Sequence, residues 1–122
     1  MSIRALIADD SAVMRKIVTR TLRQAGFDDW ELTEAVDGLD ALERVREDQP
    51  DLVLSDWNMP NMTGIELLRA LRAAGDDTPF GFVTSEGSSE MRATAEAAGA
   101  LFLIAKPFTP DSVREAIEEH LA

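Results

Sequence analysis

Four short runs dominated by apolar residues, IRALIA (3–8), LVLS (52–55), FGFV (80–83) and LFLIA (101–105), set what this chain can fold into. A strand wetted on one face alternates apolar and polar residues, whereas an unbroken apolar run of this length fits a strand buried on both faces, the condition of a parallel sheet. Each run also stops at a polar side chain: Asp9 and Asp10 after the first, then Asp56, Thr84 and Lys106. Parallel strands would gather those ends along one edge of one sheet. In open α/β sheets that edge is where ligands bind.

The intervening segments carry helical periodicity. From Ser11 to Ala25, Val13, Ile17 and Thr21 recur beside Met14, Val18, Leu22 and Ala25, which predicts one apolar helix face closed at Gly26. Asp37-Gly38 opens a second helix with Leu39, Leu42 and Val45, ended by Pro50. Thr63-Gly64-Ile65-Glu66 has the form of a capping box before Ile65, Leu68 and Leu71, with Gly75 as the stop. Ser88 or Ser89 can cap a fourth helix bearing Met91, Ala95 and Ala98 and closed by Gly99. Thr109-Pro110 reads as an N-cap followed by proline at the first helical position, with Val113, Ala116, Ile117 and Leu121 on one face. Trp30 to Ala35 completes the strands, partly polar as suits an edge. Five strands alternating with five helices predict a doubly wound α/β domain, because right-handed crossovers cover both faces of a parallel sheet. The length of 122 residues fits one domain spanning 1–122, and with no linker or repeat in view no output domain is expected.

Composition narrows the chemistry. The chain has no Cys and one His, His120, which excludes disulfides, thiolate nucleophiles and imidazole clusters. Any metal must then be hard and oxygen-liganded. With 23 acidic against 12 basic residues and a net charge of -11, no direct nucleic-acid partner is expected. No apolar stretch approaches a membrane span and no secretory signal is visible, so a soluble cytoplasmic protein without membrane insertion is expected.

Singly, each polar strand end has an ordinary use. Asp9-Asp10 can cap the following helix, Asp56 near Asn58 and Pro60 suits a loop, Thr84 suits a turn, and a strand-end lysine is commonly solvated. Together they say more. Three clustered carboxylates repel one another unless they share protons or bind a cation, and oxygen ligands favour Mg²⁺ or Mn²⁺. The only lysines are Lys16 and Lys106, so the one at a strand end is not filler; it supplies a point charge for an anionic ligand. Carboxylates, a metal, an ammonium and a hydroxyl at one edge suit a phosphoryl group.

Asp9-Asp10, Asp56-Trp57-Asn58-Met59-Pro60-Asn61-Met62, Val83-Thr84-Ser85-Glu86 and Lys106-Pro107-Phe108-Thr109, in that order, resemble the receiver domain of two-component response regulators, in particular its CheY-like chemotaxis members. The resemblance runs throughout the chain and implies a single flavodoxin-like (βα)5 domain with a five-stranded parallel sheet. It implies that Asp56 accepts a phosphoryl group from a sensor histidine kinase or phosphotransfer domain, forming an aspartyl phosphate. It implies that Asp10, Asp56 and the backbone carbonyl of Asn58 hold Mg²⁺ directly and that Asp9 does so through water. Lys106 would pair with one phosphoryl oxygen and Thr84 with another, with small Ser85 leaving room. Thr84 would then bias a surface formed by the last two helices and the fifth strand, where an output protein binds; such a protein signals and is no enzyme in its own right. Asn58 and Glu86 stand where the family tunes phosphoryl lifetime, and Lys106-Pro107 where it has a cis proline. Leu103 departs from the Tyr or Phe common three residues before the lysine.

Three other readings of the chain compete. It could be the isolated receiver of a longer regulator. A phosphohydrolase of the haloacid dehalogenase type also uses Asp, Mg²⁺, Thr or Ser, and Lys, but it looks for two aspartates two residues apart after the first strand, whereas Asp9 and Asp10 are adjacent. A nucleotide- or flavin-binding module would need a glycine-rich phosphate loop after that strand, which is absent.

Overall fold

The computed structural model describes residues 3–121, the side chain of Leu121 excepted, so the place of Leu121 on the last helix face lies outside the described residues. The elements alternate as expected: β1 (Arg4–Ala8), α1 (Ala12–Gln24), β2 (Glu31–Ala35), α2 (Gly38–Asp48), β3 (Leu52–Ser55), α3 (Gly64–Ala73), β4 (Phe80–Thr84), α4 (Ser89–Ala98), β5 (Phe102–Ala105) and α5 (Pro110–Leu121). All five strands pair in parallel in the order β2-β1-β3-β4-β5. Chain order reverses direction between β1 and β3. That is the point where a doubly wound sheet opens a crevice.

Register carries the polar strand ends to this crevice. Ala8 pairs with Ser55, so Asp9 and Asp56 leave adjacent strands at the same level; Thr84 pairs with Ala105, which sets Lys106 just beyond it. The core lies in two layers, one on each side of the sheet. Leu6, Val53, Phe80, Phe82 and Leu103 face Leu67, Leu68 and Leu71 of α3 on one side. Ile7, Leu52, Leu54, Phe102 and Ile104 face Val18 and Leu22 of α1 and Ile117 of α5 on the other. Phe102 and Leu103 thus point to opposite faces, as strand alternation requires.

Caps fall where residue chemistry puts them. The side chains of Ser11, Asp37, Thr63 and Ser88 accept the first free amides of α1 to α4, and Thr63 with Glu66 makes a complete capping box. At α5 the Ser112 amide donates to Thr109 Oγ1 at 3.0 Å and the Thr109 amide donates to Ser112 Oγ at 2.9 Å. The Lys106–Pro107 peptide bond is cis, as the resemblance implies.

Periodicity drew the apolar helix faces too wide. Val13 is 67% and Ile17 38% exposed, because α1 turns Val18, Thr21 and Leu22 to the sheet. Leu39 is 50% exposed while α2 buries Val45, as expected, together with Ala41. Three strand starts also retreat by one residue, since Ile3, Trp30 and Leu101 precede the ladders they were expected to open. Among the described residues no helix is long and apolar enough to cross a membrane.

Candidate functional site

Asp9, Asp10 and Asp56 each offer a carboxylate oxygen within 4.8 Å of the others. Asp9 is the deepest of the three at 3% exposure and is fixed on several sides. Its amide donates to the Ala35 carbonyl (3.1 Å), its Oδ1 accepts from the Ser11 amide (2.9 Å), and its own carbonyl accepts from Arg15 (2.7 Å). Arg15 is in turn held by Glu34 at 2.7 Å. Asp10 is exposed beside it.

Asp56 leaves β3 with its amide donating to the Ala8 carbonyl at 2.9 Å, and its Oδ1 accepts from the Trp57 amide at 2.7 Å. Its Oδ2 is left toward Lys106, whose Nζ lies 3.9 Å away and 3.6 Å from Asp9 Oδ2. Burial raises the Asp56 carboxyl above its ordinary pKa; Lys106 opposes that shift, Asp9 and Asp10 add to it, and the Trp57 amide moderates it. One ammonium among three carboxylates leaves the cluster two formal charges negative, the amount a divalent ion neutralises. The all-oxygen donor set suits a small hard cation.

Thr84 is wholly buried at the end of β4. Its carbonyl accepts from the Lys106 amide at 2.7 Å, and its hydroxyl accepts from the Glu86 amide at a long 3.4 Å. Ser85 and Glu86 are exposed beyond it. Asn58 is exposed in the loop after β3, whose base is fixed where the Gly64 amide donates to the Trp57 carbonyl at 2.8 Å. A side chain at Gly64 would run into the Asp56 carbonyl, so this close return of the chain requires glycine. Trp57 stacks on Phe82 of β4 with ring centroids 4.8 Å apart.

The structure therefore brings Asp9, Asp10, Asp56 and Lys106 into one cluster, sets Thr84 behind Lys106, and holds Asn58 on the adjoining loop. Sequence reasoning missed three supporting residues. Arg15 clamps the backbone of Asp9, and its guanidinium reaches six residues back along the chain, which no periodicity reveals. Asn61 donates to Asp37 at 2.7 Å, joining two loops far apart in sequence, from a left-handed φ of 68° that Asn tolerates. Arg92 of α4 donates to the Leu103 carbonyl at 3.0 Å and to the Gly87 carbonyl at 3.4 Å, a bridge over β5 with no sequence signature.

Comparisons with known proteins agree with this fold. The family profile described as "Response regulator receiver domain" matches residues 5–118. A "Chemotaxis protein CheY homolog" of Campylobacter jejuni is 40% identical over 121 residues, 97% of this chain and 92% of the relative. Among solved structures, the chemotaxis response regulator CheY4 of Vibrio cholerae superposes with a TM-score of 0.86 at 33% identity, covering 99% of this chain and 100% of that one. The receiver domain of the Francisella response regulator 1452 gives 0.82 at 27% identity, over 97% and 95%.

Proposed function

Because this chain belongs to the response regulator receiver family and is CheY-like, we propose that Asp56 accepts a phosphoryl group from a phosphohistidine of a sensor histidine kinase or phosphotransfer domain. CheY-like receivers are signalling proteins rather than classical enzymes, and the signal here would pass by protein contact. One observation carries the reading: the free Oδ2 of Asp56 faces the Lys106 ammonium at the sheet's switch point, inside a trio of carboxylates.

Asp56 Oδ2 attacks phosphorus as the bond to the donor imidazole nitrogen breaks, leaving an acyl phosphate on the chain. Asp10, Asp56 and the Asn58 carbonyl are the direct holders of Mg²⁺ in this reading, or of Mn²⁺, with Asp9 acting through water. The ion supplies charge neutralisation that lets one anion approach another. Lys106 pairs with a phosphoryl oxygen. Thr84 gives up its long bond to the Glu86 amide and turns its hydroxyl to another oxygen, drawing the loop after β4 with it.

The output surface is the face of α4, β5 and α5, where a groove of about 470 Å³ runs past Arg92, Ala95, Leu103, Ala116 and His120. The chemotaxis names of the relatives support a role for this signal in chemotaxis. Incubation with acetyl phosphate or beryllofluoride and Mg²⁺, followed by Trp57 fluorescence, tests the assignment. A response that requires the divalent ion and disappears in Asp56→Asn supports it; a fully responsive Asp56→Asn overturns it.

A further inference from the structure

The loop from Trp57 to Met62 is seated at a second point besides its base. Asp37 Oδ1 accepts from the Asp40 amide at 2.8 Å, capping α2, while Asp37 Oδ2 accepts from the side-chain amide of Asn61 at 2.7 Å. One carboxylate thus serves a helix end and a distant loop, and both bonds, the Asp40 amide first, hold its carboxyl below the ordinary value. The next residue repeats the contact in the backbone. A side chain at Gly38 would collide with the Met62 carbonyl, so the loop lies directly on the first turn of α2. Asn58 sits between the two anchors, the Gly64–Trp57 bond on one side and the Asn61–Asp37 bond on the other.

We infer that Asp37 and Asn61 are positioning residues for the metal: their bond holds the Asn58 carbonyl where it completes the carboxylate site. This rests on the metal reading above. A backbone carbonyl has no rotamer to adjust, so its direction is set by whatever fixes the loop around it. Asp9 and Asp56 differ in this respect, since main-chain bonds at the ends of β1 and β3 fix where their side chains start.

Titration calorimetry of the full chain with MgCl2 at fixed ionic strength tests the inference, with urea midpoints measured in the absence of Mg²⁺. Asn61→Gly keeps the left-handed backbone available and leaves the charge unchanged; Asp37→Ser keeps a side chain able to cap α2. Each is expected to weaken Mg²⁺ binding about fivefold, the range of a charge-assisted bond partly spent on the loop. The double variant should bind no more weakly than either alone, and urea midpoints should move little. Unchanged affinity in Asn61→Gly, additive losses in the double variant, or losses that merely track the urea midpoint overturn the inference while leaving the metal reading intact. A wild-type chain that does not bind Mg²⁺ overturns both.

Discussion

The two halves of the strand-end crevice are built to different tolerances. On the side of β1 and β3, Asp9 and Asp56 are fixed by hydrogen bonds of 2.7–3.1 Å to neighbouring backbone and to Arg15. On the side of β4 and β5, the Thr84 hydroxyl meets the Glu86 amide at 3.4 Å, and Arg92 reaches the Gly87 carbonyl at the same length. Hydrogen bonds weaken with length, so the loop after β4 is held loosely at Glu86 and Gly87, although the Thr84 and Leu103 carbonyls beside it are held at 2.7 and 3.0 Å. A cluster of like charges needs rigid support, because any slack lets the carboxylates drift apart. A reporting loop needs the opposite, a resting contact weak enough to exchange for a better one.

The largest test of the contrast is chemical. Asp56→Asn should abolish phosphoryl acceptance outright, measured by incorporation from acetyl phosphate, and chelation of the divalent ion should do the same to wild type; a labelled Asp56→Asn chain would break the assignment of the rigid half. Glycine substitutions come next. In Gly64→Ala the new methyl meets the Asp56 carbonyl, which is backbone and cannot swing away, so a loss of about 2–3 kcal/mol in urea unfolding is expected. In Gly87→Ala the methyl lies 3.0 Å from the Ala105 methyl, beside the flexible Arg92, and the loss should stay under about 1 kcal/mol. Equal losses would erase the difference between the halves.

A third test uses pH. The folded pKa of Asp56 is raised, so the native state holds its proton more tightly than the unfolded chain, and stability falls as pH rises from the ordinary carboxylate range through the raised value. Asp56→Asn has no such proton. Without Mg²⁺ it should therefore unfold at higher urea than wild type at pH 7, and the gap should close as pH drops below the ordinary carboxylate pKa. A gap that widened toward acid would reverse the sign assigned to burial. The smallest effect belongs to Arg92→Gln, which removes an exposed bridge and should cost less than about 1 kcal/mol. It should still speed hydrogen exchange at Gly87 and Glu86, and exchange unchanged there would mean that Arg92 does not hold the loop.

The architecture was legible because burial on both faces leaves a strand no polar residue until its end. Asp9, Asp56, Thr84 and Lys106 mark the ends of β1, β3, β4 and β5 for that reason alone. Capping residues were equally plain, since Thr63 and Glu66 act within one turn. What stayed hidden depends on distance in three dimensions. The exposure of Val13 and Ile17 follows from how narrowly α1 rests on the sheet, which periodicity does not encode. Asp37-Gly38 read only as a helix start, because Asn61 and Met62 come to it from another loop. The guanidinium bridges of Arg15 and Arg92 end on backbone carbonyls, and a carbonyl leaves no trace in the residue alphabet.

The strand order β2-β1-β3-β4-β5 has a consequence for how the chain comes into being. Every pairing is parallel, so each must wait for a crossover helix, and the lysine arrives on the last strand. In chain order the three aspartates precede their counter-charge, which Lys106 supplies only after β5. The charge pattern is therefore completed only by the last strand, with α5 alone still to follow. A chain stalled short of β5 carries the proposed acceptor, Asp56, without the ammonium that faces it in the finished protein.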